Sequence, residues 1–150
     1  MGKKQLYFAI APFLVGLVLG RLNPLDPAQA QPVTLLADSE YTIERCINPF
    51  DPEKIEKSAN GFMYWYVSKE LSQGLNLKLS EVNPGTAHHG AHQHPESEIY
   101  FVLSGSAELI FNGESKTVGA NTAMYCPPLV SHGIRNAGNT PLQYFVIKTN

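Results

Sequence analysis

The sequence predicts an all-β protein, an antiparallel sandwich or barrel, and three observations carry that prediction. Short runs rich in aromatic and β-branched residues recur from Phe62 to the C-terminus, divided by proline, glycine and asparagine. Leu75 to Val82, LNLKLSEV, alternates apolar and polar residues in period two, the mark of a half-buried strand. Asn112-Gly113 stands between AELIF and KTVG, the pairing that a type I′ hairpin turn demands. The 150 residues suffice for one domain and contain no internal repeat.

The N-terminus stands apart from this pattern. Lys3 and Lys4 precede an apolar stretch, Leu6 to Gly20, and a polar segment with small residues at Ala28 and Ala30. That order is the order of a signal peptide over residues 1–30, cleaved after Ala30. A membrane anchor is the alternative, but the run is short for a span of about 20 residues, and Pro12 interrupts it. Export would leave the chain in a periplasm or outside the cell. From Gln31 onward it keeps 8 basic and 12 acidic residues, a net charge of -4. Without a basic stripe, nucleic acid is not an expected partner. An exported protein can oxidise Cys46 and Cys126, its only cysteines. A bridge would close a long loop and contribute about 4 kcal/mol; two separate buried thiols are the alternative.

Residues 31–61 read as an N-terminal arm with a short helix. Gln31 to Asn48 shows no period and is expected to be extended, with room for one edge strand. Asp51-Pro52-Glu53 has the form of a helix start, a capping carboxylate followed by proline at the first position. Lys54 to Asn60 would complete that helix, Glu53 and Lys57 would pair at i, i+4, and Gly61 would cap its end. Residues 62–150 hold the strands. FMYWYV, Phe62 to Val67, is β-prone, and Asn83-Pro84-Gly85 turns the chain after LNLKLSEV. EIYFVLSG is apolar on both parities, so both of its faces should be covered. The segments NTAMYCPP, SHGIRN and PLQYFVIK supply the remaining strands, with a dense turn signal at Asn136 to Pro141.

All five histidines fall in two places: His88, His89, His92 and His94 within seven residues, and His132 alone. On a strand, His92 and His94 would project to one face, and Glu98 shares their parity after a turn at Pro95. Imidazole nitrogens and a carboxylate oxygen are good ligands for first-row divalent metals, and His132 would add a fourth from a later strand. His88 and His89 precede this set closely enough to reach a pocket rim. Tyr100 and Val102 share the parity of Glu98 and are expected to face inward as pocket candidates, with Tyr125 and His88. Tyr64 or Trp65, depending on register, would close one side. Arg135 has the opposite parity to His132 and is left outside the site.

The spacing His92, His94, Glu98, Gly105 satisfies H-x-H-x3-E-x6-G and resembles the first motif of the cupin superfamily. Pro127, His132 and Asn136 keep the relative spacing of the second, G-x5-P-x-G-x2-H-x3-N. Leu129 stands where that motif has glycine, Gly119 lies two residues early, and Gly85 lies one residue early in the first motif. These departures touch turns rather than ligands. The resemblance covers about Leu75 to Lys148. It implies a double-stranded β-helix, the jelly-roll cupin barrel, over 62–150, and iron, manganese, nickel, copper or zinc as the divalent transition metal. Three imidazoles and one carboxylate leave two positions of a six-coordinate ion open. The expected function is a metal-dependent enzyme on a small organic molecule, with dioxygenase chemistry leading and isomerase or decarboxylase/lyase chemistry beside it. The alternative is a module that binds a sugar or organic acid without turnover. The apolar outer parity of EIYFVLSG leads to a second expectation, pairing of the barrel into a homodimer.

Overall fold

The computed structural model describes residues 41–72 and 74–149. The expected signal peptide, 1–30, and the first part of the arm, 31–40, lie outside the described residues.

The arm opens with one helical turn, α1 (Ile43–Cys46), whose N-cap Thr42 accepts a hydrogen bond from the Arg45 N–H at 3.2 Å. Four residues are too few to show a helical period, so the turn was invisible in the sequence. Phe50 then lays its ring edge-on against Tyr64 at 4.9 Å, and the Tyr64 hydroxyl donates to the Pro49 carbonyl at 2.7 Å. The arm is thereby pinned to one sheet.

The helix expected after Asp51 is only begun. Asp51 caps a single 3-10 turn, Pro52–Lys54, and the chain then enters β1 (Glu56–Ser58). Cross-strand pairing with β2 (Gly61–Val67) replaces helix growth. Gly61 is no helix cap. It has φ +143 and lies so close to β3 that a Cβ would stand 1.9 Å from the Glu81 carbonyl oxygen. Only glycine tolerates that approach.

The remaining strands are β3 (Leu75–Val82), β4 (Glu98–Ser104), β5 (Ala107–Phe111), β6 (Glu114–Val118), β7 (Thr122–Cys126), β8 (His132–Asn136) and β9 (Leu142–Thr149). They form a six-stranded sheet in the order β1-β2-β3-β9-β4-β7 and a three-stranded sheet in the order β6-β5-β8. The β5–β6 turn has Asn112 at φ 49 and Gly113 at φ 87, positive at both central positions as the hairpin motif requires. The two sheets face each other across one core as an all-β barrel. Val82, Val102, Ala107, Leu142 and Ile134 fill the space between them. Each large aliphatic side chain buried there contributes about 1.5–3 kcal/mol.

The period-two alternation of β3 is present, but its apolar set faces away from this core. Directly opposed residues share a face of a sheet. Lys78 opposes Val146, Ser80 opposes Tyr144 and Val82 opposes Leu142, all three partners being core residues. The inward set is therefore Asn76, Lys78, Ser80 and Val82. Leu77 and Leu79 lie on the outer face, where Leu79 opposes Phe145 and Tyr64. The same register turns Trp65 inward and Tyr64 outward.

Two backbone positions test the turns. Gly105 ends β4 at φ +87, with the Pro141 carbonyl oxygen 2.8 Å from where a Cβ would stand. Leu129 holds φ 62 with its side chain 66% exposed. A non-glycine residue in that region is strained by about 1–2 kcal/mol. Leu129→Gly should raise the unfolding free energy by about 1 kcal/mol after glycine's own entropy cost, whereas Gly105→Ala should lower it. Urea denaturation of both variants measures this, and a destabilised Leu129→Gly would show that the strain is absent.

Candidate metal centre

The first-motif loop is clamped to the start of β8 by paired backbone bonds. The His92 N–H donates to the His132 carbonyl at 2.9 Å, and the His132 N–H donates back to His92 at 2.8 Å. Next along, the Leu129 N–H donates to the His94 carbonyl at 2.8 Å. These bonds correct one expectation: His92 and His94 share no continuous strand face. They sit on a loop that one isolated bridge holds in place, because Pro95 and the bend around it interrupt the ladder before β4. Glu98 opens β4 in the larger sheet and His132 opens β8 in the smaller one.

The four side chains nonetheless converge. One ligand atom from each of His92, His94, Glu98 and His132 lies within 4.8 Å of the others. Glu98 Oε2 stands 3.0 Å from His132 Nε2 and 3.4 Å from His94 Nε2. His132 is fully buried and Glu98 is 6% exposed.

Second contacts settle what these nitrogens can do. His132 Nδ1 lies 2.7 Å from the Val130 carbonyl, and His94 Nδ1 lies 3.0 Å from the Glu96 carbonyl. A carbonyl only accepts, so each Nδ1 must carry the proton. A neutral ring then presents a lone pair at Nε2, directed at a carboxylate oxygen that also only accepts. One proton, on Glu98 Oε2 or on one ring, satisfies only one of these two contacts, whereas a cation among the three groups satisfies both. His92 Nδ1 is buried with no hydrogen-bond partner among the described residues, a further polar atom that a cation would satisfy. The residues therefore fit a divalent metal, with ring orientations fixed by carbonyl contacts in the manner of known metal-bound imidazoles. His92 has its pKa held below the ordinary histidine value, by burial first and then by His89 and His132. That favours the neutral ring a metal needs.

Around the cluster, Tyr100 is buried with its ring 6.0 Å from His132 and 5.7 Å from Tyr144. Burial, then the charge of Glu98, pushes its hydroxyl pKa up, so it stays protonated. Val102, fully buried, lies one inward position deeper, among core residues. Tyr125 is a correction. It is 57% exposed and its hydroxyl lies 3.2 Å from Ser97 Oγ, because its neighbour Cys126 takes the inward position opposite Glu98. His88 is not among the four converging groups: its Nδ1 bonds Ser58 Oγ at 3.2 Å beside β1 and β2, and its Nε2 is buried without a partner among the described residues. His89, its neighbour, packs against His92 at 4.4 Å instead. Arg135 pairs outside the barrel with Glu108 at 2.7 Å. Asn136 is buried and donates to the Val82 and Thr140 carbonyls, both at 2.8 Å, so its role is to tie β8 to β3. Cys46 and Cys126 are free thiols, one exposed and one buried.

A two-sheet barrel with three imidazoles and a carboxylate at one mouth defines a small metal-binding β-barrel of the double-stranded β-helix class. The family model for the cupin domain matches residues 78–148, and the chain belongs to the cupin superfamily. The chain is 29% identical over 84 residues to the mannose-1-phosphate guanylyltransferase ManC of Salmonella typhimurium, a match covering 56% of this chain and 18% of that protein. The chain thus spans less than a fifth of the length of such curated relatives. Among solved structures, a predicted oxalate decarboxylase from Thermotoga maritima is 28% identical, with a TM-score of 0.55 over 59% of this chain and 78% of that one. A Cupin 2 conserved barrel domain protein from Salinispora arenicola is 24% identical, with a TM-score of 0.58 over 69% and 87%, a likeness of fold.

Two outcomes follow. Metal affinity should fall as pH drops through the ordinary histidine range, since protons compete for the rings. For the metal-free protein the sign is the same. A histidine with a lowered folded pKa binds fewer protons than the unfolded chain, so its stability contribution is present above about pH 6.5 and is lost below it. Zinc titrations and thermal melts from pH 5 to 8 measure both. Separately, a thiol reagent at pH 8 should label Cys46 alone in the native protein and both cysteines in denaturant. Burial, then Glu98, raises Cys126 to about 12; rapid labelling of Cys126 would contradict its placement.

Proposed function

We propose that this chain is a metal-dependent enzyme acting on a small organic molecule, with dioxygenase chemistry as the leading reaction. The observation that carries the reading is the convergence on Glu98: two imidazoles tethered through Nδ1 both point Nε2 at one buried carboxylate oxygen, where a single proton could satisfy only one of them. A divalent metal there supplies Lewis acidity toward a substrate oxygen, and iron, copper, manganese or nickel adds redox reactivity. The chain's residues orient and enclose. Carbonyl contacts fix the His94 and His132 rings, Tyr100 offers a protonated hydroxyl beside the cluster, and the apolar core below excludes water.

Decarboxylase or lyase chemistry stands second, supported by the Thermotoga maritima likeness; isomerisation uses the same Lewis acid. The guanylyltransferase likeness supports the barrel alone, because so little of that protein is matched. Binding of a sugar or organic acid without turnover is favoured by one observation: the other carboxylate that reaches a ligand, Glu96, meets His94 at Nδ1, 3.3 Å away, and not at the Nε2 that points to Glu98. We also propose export through residues 1–30 to a periplasm or the exterior. Pairing of two copies through the outer face that carries Ile99, Phe101, Phe145 and Ile147 belongs to the same reading.

Elemental analysis of the purified protein, followed by oxygen uptake on phenolic and enol substrates, tests the reaction. Near-stoichiometric iron, copper, manganese or nickel is expected. His94→Ala should lose most of the metal and more turnover than the roughly 10- to 100-fold that removal of a group merely orienting a ligand costs. Turnover that persists in metal-free protein would overturn the reading.

A further inference from the structure

The inward face of β3 holds a cation that the metal centre does not use. Lys78 opposes Val146 of β9 and Trp65 of β2, and Val146 opposes Tyr100 of β4. Lys78 therefore stands in the same interior row as Tyr100, whose ring neighbours His132. With β9 between them, strand spacing sets the Lys78 and Tyr100 backbones roughly 10 Å apart, and the lysine stem spans part of that gap. The ammonium lies 5.1 Å from the centroid of the Trp65 ring.

The other charged groups near Lys78 are Glu98, Glu56, Lys148 and His88. Each makes a contact of its own, although His88 keeps a buried Nε2 without a partner among the described residues. Glu98 faces His94 and His132, and Glu56 accepts from Trp65 Nε1 at 3.1 Å. Lys148 pairs with Glu96 at 3.5 Å, and His88 bonds Ser58. Among the described residues no carboxylate comes within ion-pair distance of Lys78. Burial holds its pKa below the ordinary lysine value, so the chain spends stability to keep a charge there. A divalent ion at the cluster outweighs the single charge of Glu98, and Lys78 adds a second positive centre to the same interior.

We propose that Lys78 anchors the anionic end of the ligand, and that the substrate is a small organic acid. Its carboxylate pairs with Lys78, its carbon skeleton lies against Trp65, and a second oxygen function faces the His92, His94, Glu98, His132 cluster. The last contact rests on the metal reading; the Lys78 contact does not. A neutral sugar would cover the half-buried ammonium without offering it a counter-charge, which disfavours that class.

The test is calorimetric titration of malonate and of its neutral analogue malonamide into the full chain loaded with zinc, compared with Lys78→Met and Lys78→Arg. Methionine keeps the apolar stem over Trp65 and removes the charge; arginine keeps the charge. Malonate should bind the wild type and Lys78→Arg, and its affinity should fall roughly 10- to 100-fold in Lys78→Met, the worth of a charged hydrogen bond. Zinc content should be unchanged, and the melting temperature of Lys78→Met equal to or above that of the wild type. Malonamide should not distinguish wild type from Lys78→Met. Equal malonate affinity in wild type and Lys78→Met, or no malonate binding to the wild type at millimolar concentration, would overturn the proposal. So would loss of zinc or a lower melting temperature in Lys78→Met, which would make the residue structural. Lys78-dependent malonate binding by a chain that takes no zinc would sustain the anchor and refute the metal centre.

Discussion

Glu98 is the residue on which the site depends. Its carboxylate is nearly sealed from water, and a buried carboxylate persists only when its partners arrive with the right geometry. Those partners come from different sheets: Glu98 begins a strand of the six-stranded sheet and His132 a strand of the three-stranded one. The backbone exchange between His92 and His132 brings the first-motif loop to the same point. The site is thus a tie between the two sheets at one end of the barrel. Whatever cation resolves the conflict at Glu98 also holds the sheets together there.

Much of this was legible in the sequence because it depends on local spacing. The hairpin at Asn112-Gly113 follows from positive φ at two consecutive positions, which few residue pairs accept. The four ligand candidates were readable because their spacing is dictated by the barrel. Leu129 shows how far such spacing tolerates change: it takes the left-handed conformation of the glycine it replaces in the motif, and its amide still reaches His94. The departure altered strain and left geometry intact.

What the sequence hid depends on pairing at long range. Asp51 and Pro52 start a helical turn as their types require, yet the turn yields to a strand because Glu56 to Ser58 finds a partner in β2. Likewise, the alternation in LNLKLSEV reveals a strand but not which face meets the core. Its leucines find apolar cover on the outer side, against Tyr64 and Phe145, so the polar parity is free to turn inward. Tyr125 misled for the same reason: parity along β7 is set by the opposition of Cys126 to Glu98.

The register then builds a polarity gradient through the barrel. Along the inner face, β4 runs from Val102 through Tyr100 to Glu98, β9 from Leu142 through Tyr144 and Val146 to Lys148, and β3 from Val82 through Ser80 to Lys78 and Asn76. Cross-strand pairing sets the three apolar ends side by side and the three polar ends side by side. The apolar end is closed by Asn136, whose amide bonds Val82 and Thr140. The polar end holds the metal ligands and the unpaired lysine. No single strand shows this asymmetry as more than an odd alternation. It becomes a binding site only because the antiparallel registers add the strands in phase, so the polar end accepts a small charged molecule while the apolar end supplies the folding energy.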